Sequence, residues 1–507
     1  MEAVFAKLEP KEWAALALPV CIALMALVAL SALLPRGKGA FRLALPRHEV
    51  TRTDYYIAAS IAVAFYLLGS WRLNEPQRAV FDECYHGRSG MEYLLGKNPT
   101  EWTHPPLGKL LIASSLKVWE GSFDPTEGKY KPDMGFSQRA VIGWRWASLV
   151  AGALALLVLY ALARSLFGSL TVAAWSAGML ACDGIFFVQS RIAMTNAFTV
   201  LFILVATLGA WKYSQTERKS WLLLLAVGLG CAVSTRWSTL FALGLLGLYL
   251  CTFEIGRLLR IRAGAGKWAL SVILFAGAFL LIPVAIYAAT YIPFVLQGPG
   301  STAERLLHFA RDESYHGWWK VFTEQKNMWD YHTGMKETHG YASPWWSWPL
   351  TLRPTWYAFD TDPLTQHVKG ILAIGSAPIW WASVPAMLVG GILAVRERRS
   401  DLGLLVLLAA GLWLLWGKQG RSLIFQHYML EAIPFVCILL AYFGSLLWEK
   451  QESDGEDEVG LKLRRTMIGI YAAAIPLWFL FFYPILSAYP VPGSFYGAHL
   501  WLGRLWV

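Results

Sequence analysis

Asp82 and Glu83 stand side by side in Phe81-Asp82-Glu83-Cys84-Tyr85-His86-Gly87, and the same polar stretch continues to Trp102-Thr103-His104-Pro105-Pro106-Leu107-Gly108-Lys109. Two carboxylates, two histidines, a phenol and a lysine are thus crowded together in a chain of which only 15% is charged. Adjacent residues of a helix point about 100° apart, so Asp82 and Glu83 cannot form one facing pair, whereas Asp82 and His86 share a face. The spacing suits one working carboxylate with a supporting group, a general base, better than the two flanking carboxylates of a glycosidase. The plainer alternative is a hydrated loop in which Asp82 caps a helix.

The elements that must hold this stretch are apolar. The chain has 507 residues, 56% of them hydrophobic, and a mean hydropathy of +0.43. Its apolar runs are long enough to span a bilayer, so an all-α polytopic membrane protein is expected. The runs are Ala14 to Leu34, Tyr55 to Trp71, Val141 to Leu162, Ser169 to Val188, Met194 to Trp211, Trp221 to Val233, Leu240 to Phe253, Trp268 to Tyr291, Gly370 to Val395, Leu402 to Trp416, Ile424 to Trp448 and Met467 to Tyr483. Residues 1–54 form an additional N-terminal span and a basic loop, and residues 55–507 the membrane-embedded unit, with about 11–12 transmembrane helices in all.

The net charge of +10 is scattered over short loops between these runs, so it reports orientation and argues against a nucleic-acid partner. Keeping the basic clusters inside places a first outer loop at about 72–140 and a long one at about 292–370. Within the first, Pro106 to Trp119 reads as an amphipathic interfacial helix. The 26 tryptophans sit largely beside polar loops, where they suit the membrane interface or sugar stacking. Six cysteines show neither a disulfide framework nor metal-type spacing.

Four arginines, Arg145, Arg191, Arg236 and Arg421, fall at similar depth near the outer ends of apolar runs, where a guanidinium is costly unless it snorkels or meets an anion. Together they suggest a phosphate pocket. His332 and His339 are spaced so that zinc is a rival reading, although no cysteine or regular carboxylate set joins them.

Phe-Asp-Glu-x-x-x-Gly followed by His-Pro-Pro-Leu-Gly-Lys resembles the first outer loop of the protein O-mannosyltransferases, the enzymes that use polyprenyl- or dolichyl-phosphate mannose. The resemblance extends to Ser190-Arg191-Ile192-Ala193-Met194, to Arg236-Trp237 where the family more often has Lys-Trp, and to Gln325, Tyr331-His332, His339, Tyr341 and Ser343 before a tryptophan-rich segment. It continues through Arg421, His427 and Tyr428 to Phe482-Tyr483-Pro484, and so covers nearly all of Tyr55 to Val507. Where the family commonly has Leu-Asp after the arginine segment, this chain has Thr195-Asn196, so a carboxylate role does not carry over. The long outer loop lacks room for the sugar-binding-type domain of eukaryotic members, as in a bacterial one.

The resemblance implies a GT-C type glycosyltransferase in the cell membrane with its active site outside the cytoplasm. It would transfer mannose from polyprenyl-phosphate mannose to serine or threonine of a secreted or translocating protein, with membrane lipid around it and the protein-export machinery as a candidate partner. Asp82 would be the base and Glu83 its neighbour in catalysis. Arg145, Arg191, Arg236, Arg421, His427, His104 and Lys109 would bind donor phosphate or sugar, and His86, Gln325, Tyr331, His332, His339 and Tyr341 would support acceptor or loop. No cofactor is implied beyond the lipid-linked donor, and a divalent metal stays open. A related transferase acting on lipid or cell-wall glycan, and a lipid-phosphate flippase, are the competing readings.

Overall fold

The computed structural model describes residues 19–27, 30, 48–125, 136–297, 300–311, 317–418, 421–449, 458–503 and 506. Most of the expected span Ala14 to Leu34 and of the basic loop after it lies outside the described residues, as does the acidic stretch from 452 to 457.

Among the described residues, seven helices are long and apolar enough to cross a membrane. A bent pair, Leu170–Ala181 (α5) and Gly184–Arg191 (α6), whose axes differ by 63°, makes an eighth crossing if its halves form one broken span rather than a re-entrant loop. The seven are α4 (Gln138–Phe167), α7 (Asn196–Thr216), α9 (Trp237–Arg260), α10 (Ala265–Val295), α12 (Ala377–Arg396), α13 (Ser400–Lys418) and α15 (Glu458–Leu486). The expected runs at Tyr55, Trp221 and Ile424 form the shorter or less apolar helices α1 (Arg52–Ser70), α8 (Ser220–Thr235) and α14 (Ile433–Trp448). At about 1.5 Å per residue the 30-residue α4 is ample for a bilayer. Ser137 caps its start, and Gly168, at φ 66°, ends it in the left-handed conformation that glycine adopts without steric cost. It packs on α1, α3 (Leu107–Val118), α5 and α7, and so is the post around which the N-terminal half is arranged.

The break between α5 and α6 is built by one buried carboxylate. Asp183 accepts from the Phe186 amide at 2.9 Å, starting α6 in a new direction, and also from the Ser376 amide at 3.0 Å and the Trp380 indole at 2.6 Å. A Cβ at Gly184 would lie 2.3 Å from the Ile374 carbonyl, so glycine is what lets α6 approach that segment. The turn delivers Gln189 and Arg191 to the end of the bundle where the long loops gather.

That end also carries a three-stranded antiparallel sheet, which the all-helical expectation omitted. Strand β1 (Thr355–Thr361) pairs with β2 (His367–Ala373), and β2 with β3 (Val491–Pro492). Residues 370–373 are therefore strand, and the membrane helix expected from Gly370 begins at Ala377. The β1–β2 register shifts between Trp356 and Ala358, so Tyr357 sits in a bulge. Arg78 donates to Asp360 at 2.9 and 3.0 Å, tying the sheet to the loop that carries Asp82.

Asp183→Ala leaves the Ser376 amide and the Trp380 indole buried without an acceptor. At about 1–3 kcal/mol for each abandoned group, it should lower the unfolding midpoint of the detergent-solubilised protein by several degrees, and a midpoint equal to wild type would contradict this account.

Candidate active site

Asp82 is the first residue of the turn that opens α2 (Glu83–Leu94). Its side chain makes no capping hydrogen bond, so the carboxylate is not consumed by the helix end. Phe81 before it has φ 48°, a left-handed conformation a bulky residue rarely adopts. The Phe81 ring is wedged among Tyr357 (4.5 Å between centroids), Phe425 (5.7 Å), His427 (6.1 Å) and His339 (6.2 Å), and this packing holds the strained turn.

The neighbouring carboxylate has the opposite fate. Glu83 is 1% exposed, and Arg145 donates to it through Nε and Nη2 at 2.8 Å each. The amides of Val80 (3.0 Å) and Ala193 (2.9 Å) donate to it as well. Arg145 also donates to the carbonyls of Leu73, Glu75 and Arg78. Glu83 and Arg145 therefore neutralise each other and fasten α2 to α4 and to the segment after α6. All the donors of Arg145 and all the acceptor positions of Glu83 are thus engaged within the protein. Arg191 is engaged likewise: its guanidinium is buried and donates to the carbonyls of Gly69, Trp71, Arg72 and Leu486.

The other two arginines face Asp82. Arg236, at the end of α8, donates through Nη1 to Asn196 Oδ1 at 3.1 Å and lies over the Tyr428 ring at 4.7 Å. Because Asn196 is neutral, that contact does not balance the charge of Arg236, which acts on Asp82 and on the buried Glu431. Arg421 donates to His332 Nδ1 at 3.0 Å while His332 Nε2 donates to the Thr103 carbonyl at 2.7 Å. His332, on α11 (Trp318–Gly334), thus braces Arg421 against the first loop. With both its nitrogens engaged, His332 is not free to pair with His339 around zinc. Among the described residues no cluster of three His, Cys, Asp or Glu is placed to hold a metal.

A buried acid missed in the sequence organises the rest. Glu101 accepts from Lys109 Nζ at 2.6 Å and from the Thr103 hydroxyl, contacts His104 Nδ1 at 3.1 Å and lies 4.0 Å from His86. Lys109, 1% exposed, spends its remaining protons on the carbonyls of Glu101 (2.7 Å) and His104 (2.6 Å). Lys109 and, through Nδ1, His104 therefore fix the loop. The one available signal for Glu101 was Lys109 itself, a cation on an otherwise apolar helix face. On the far side of this pair a cavity of about 300 Å³ is lined by Tyr93, Trp102, His104 and Tyr291 among others, while Asp82 lies outside its lining.

Among the expected supports, His339 packs on Phe81 and Phe425, and Tyr341 packs on His339 and accepts the Arg353 guanidinium on its ring. Tyr331 braces Trp102 at 5.5 Å, and Gln325 accepts from Tyr287 at 2.5 Å, which fastens α11 to α10. His427 meets the Tyr357 hydroxyl through Nδ1 at 3.0 Å.

Electrostatics separate these groups. Burial, helped by the Glu101 charge, pushes Asp82 up to about 6, against the pull of Arg236 and Arg421. Burial also opposes ionisation of Glu101, yet Lys109 and then His104 hold it well below the usual range. Burial, despite Glu101, depresses His86 to about 4 and His104 to about 3, so both rings are neutral. The stretch thus contains three paired carboxylates, Glu83, Glu92 and Glu101, and one unpaired, Asp82, on which the charges of Arg236 and Arg421 act.

Glu83→Gln strands the Arg145 charge in the interior. It should destabilise the protein by roughly 3–5 kcal/mol, with part recovered in Glu83→Leu/Arg145→Met, as read from thermal unfolding. Unchanged stability would remove Glu83 from its anchoring role.

Residues 59–295 match the family described as dolichyl-phosphate-mannose-protein mannosyltransferase, and residues 317–505 match the C-terminal four-transmembrane region of protein O-mannosyltransferase. The polyprenol-phosphate-mannose–protein mannosyltransferase of Mycobacterium tuberculosis is 26% identical over 86% of this chain and 88% of its own. That of Corynebacterium glutamicum is 26% identical over 90% and 94%. The fold is that of the Saccharomyces cerevisiae protein O-mannosyltransferase Pmt1–Pmt2 complex, solved with its sugar donor, at a TM-score of 0.72 and 16% identity over 90% of this chain and 93% of that one. The two family matches together span the bundle and its loop end, and the chain is a membrane-embedded glycosyltransferase of the protein O-mannosyltransferase family.

Proposed function

We propose that the protein transfers mannose from polyprenyl-phosphate mannose to serine or threonine hydroxyls of a secreted or translocating protein, with inversion, at the outer face of the cell membrane, with Asp82 as general base. The observation that carries this reading is Asp82 itself. It alone among the three carboxylates Asp82, Glu83 and Glu101 has no hydrogen-bonding partner among the described residues, and the charges of Arg236 and Arg421 act on it.

The chemistry needs little more. Asp82 takes the proton of the acceptor hydroxyl as that oxygen bonds to the anomeric carbon, and the bond from that carbon to the phosphate oxygen breaks. The phosphate leaves as a monoester whose added charge Arg236 and Arg421 stabilise, so the leaving group needs no acid. A value near 6 leaves Asp82 ionised at neutral pH and still basic enough to accept a proton.

Orientation is supported by the charge pattern. Arg218 and Lys219 after α7, Arg257 to Arg262 at the end of α9, and Arg396 to Arg399 at the end of α12 lie at the end of the bundle opposite Asp82, as expected for the cytoplasmic side. Relatives of that activity from two bacteria support donor and acceptor.

Purified protein in nanodiscs, polyprenyl-phosphate mannose and a threonine-rich peptide test this. Asp82→Asn should lower kcat by roughly 10²–10⁴-fold, and product formed at the wild-type rate would reject Asp82 as base. Asp82 must be ionised to act, so wild-type turnover should fall as pH drops through about 6. Because Arg421 lowers the Asp82 value, Arg421→Ala should move this acidic limb to higher pH and weaken donor binding. A limb left in place would show that Arg421 does not act on Asp82.

A further inference from the structure

Tyr357 and Gln189 have no place in the mechanism so far, yet both are buried beside it. Gln189 comes from α6, Tyr357 from the β1 bulge and His427 from the turn before α14, so three separate elements converge. Gln189 Nε2 donates to the Tyr357 oxygen at 2.5 Å. The hydroxyl proton of a buried tyrosine must itself find an acceptor, and His427 Nδ1 stands 3.0 Å away. Nδ1 is therefore the acceptor, and the proton of the neutral ring resides on Nε2.

That second nitrogen has no hydrogen-bonding partner among the described residues and is not sealed off. Phe425, stacked on His427 at 5.4 Å and 10°, fixes the plane of the ring, and Phe81 meets it edge-on just before Asp82. Burial and the nearby Arg236 charge oppose protonation, so the ring stays neutral. β-Bulges commonly re-aim a side chain next to an active site, and here the bulge aims Tyr357.

We propose that Tyr357 is a positioning residue which, fed by Gln189, fixes His427 as the Nε2-protonated tautomer so that it donates to an anionic phosphate oxygen of the lipid-linked donor. This rests on the donor reading above for the ligand, and on geometry alone for the tautomer. His427 is then a donor beside two guanidinium groups and never a base.

The test is ¹⁵N NMR of histidine-labelled protein in nanodiscs, with His427→Gln to assign the signal and a polyprenyl monophosphate as probe. Wild type should show one neutral, Nε2-protonated signal across the neutral range, and the probe should shift its Nε2 resonance. Tyr357→Phe should give mixed tautomers and raise the donor KM roughly tenfold, the size of one hydrogen bond to a charged group, with a far smaller effect on kcat. His427→Gln, which keeps an N–H donor, should retain most donor affinity. If Tyr357→Phe folds poorly, Gln189→Met should loosen the tautomer in the same direction. An Nδ1-protonated signal, a spectrum indifferent to both substitutions, or an Nε2 resonance unmoved by the probe would overturn the proposal. Asp82→Asn should leave the tautomer intact, so full turnover in that variant would reject the base assignment while leaving the His427 result to stand or fall by itself.

Discussion

The ion pair between Glu83 and Arg145 is the contact on which the site depends. Two charges are taken out of water and repaid by two charge-assisted bonds to each other and by backbone partners for every remaining proton and lone pair. The pair locks the first turn of α2 to the α4 post and to the chain after α6. With Glu83 held, the preceding residue has no freedom to turn away, and the Asp82 carboxylate is left without a donor among the described residues. One carboxylate is made inert so that its neighbour can stay reactive.

A second constraint sets how reactive. Asp82 feels a buried anion, Glu101, and two cations, Arg236 and Arg421, and the opposing fields leave burial to decide. Glu101 is kept ionised by Lys109, and Lys109 is kept in place by the backbone around His104. The His-Pro-Pro-Leu-Gly-Lys segment therefore acts on the chemistry through charge, at one remove. Arg421 is likewise held by His332, so α11 and the first loop move with it.

The sequence announced Asp82, Arg236 and Arg421 because charges beside apolar runs demand partners. The same logic could not separate them from Arg145 and Arg191. Whether a guanidinium meets a carboxylate 62 residues away, or backbone carbonyls up to 295 away, depends on packing that no local pattern carries. Glu101 was hidden in a loop of ordinary composition. The sheet was hidden for another reason: Gly370 to Ala373 is apolar and runs on towards the helix from Ala377, so strand and span shared one hydrophobic signal. The helical frame was legible because apolar length is decisive in a bilayer, whereas the bulge that aims Tyr357 depends on pairing.

The most direct test of the central claim is a titration of Asp82 itself, by infrared difference spectroscopy of the wild-type protein and Asp82→Asn in nanodiscs. The account predicts a protonated-carboxyl band that disappears as pH rises through about 6 and that is missing from the variant. A band that instead titrates in the ordinary carboxylate range, or that persists in Asp82→Asn, would mean that Asp82 is not the isolated carboxylate on which the site is built.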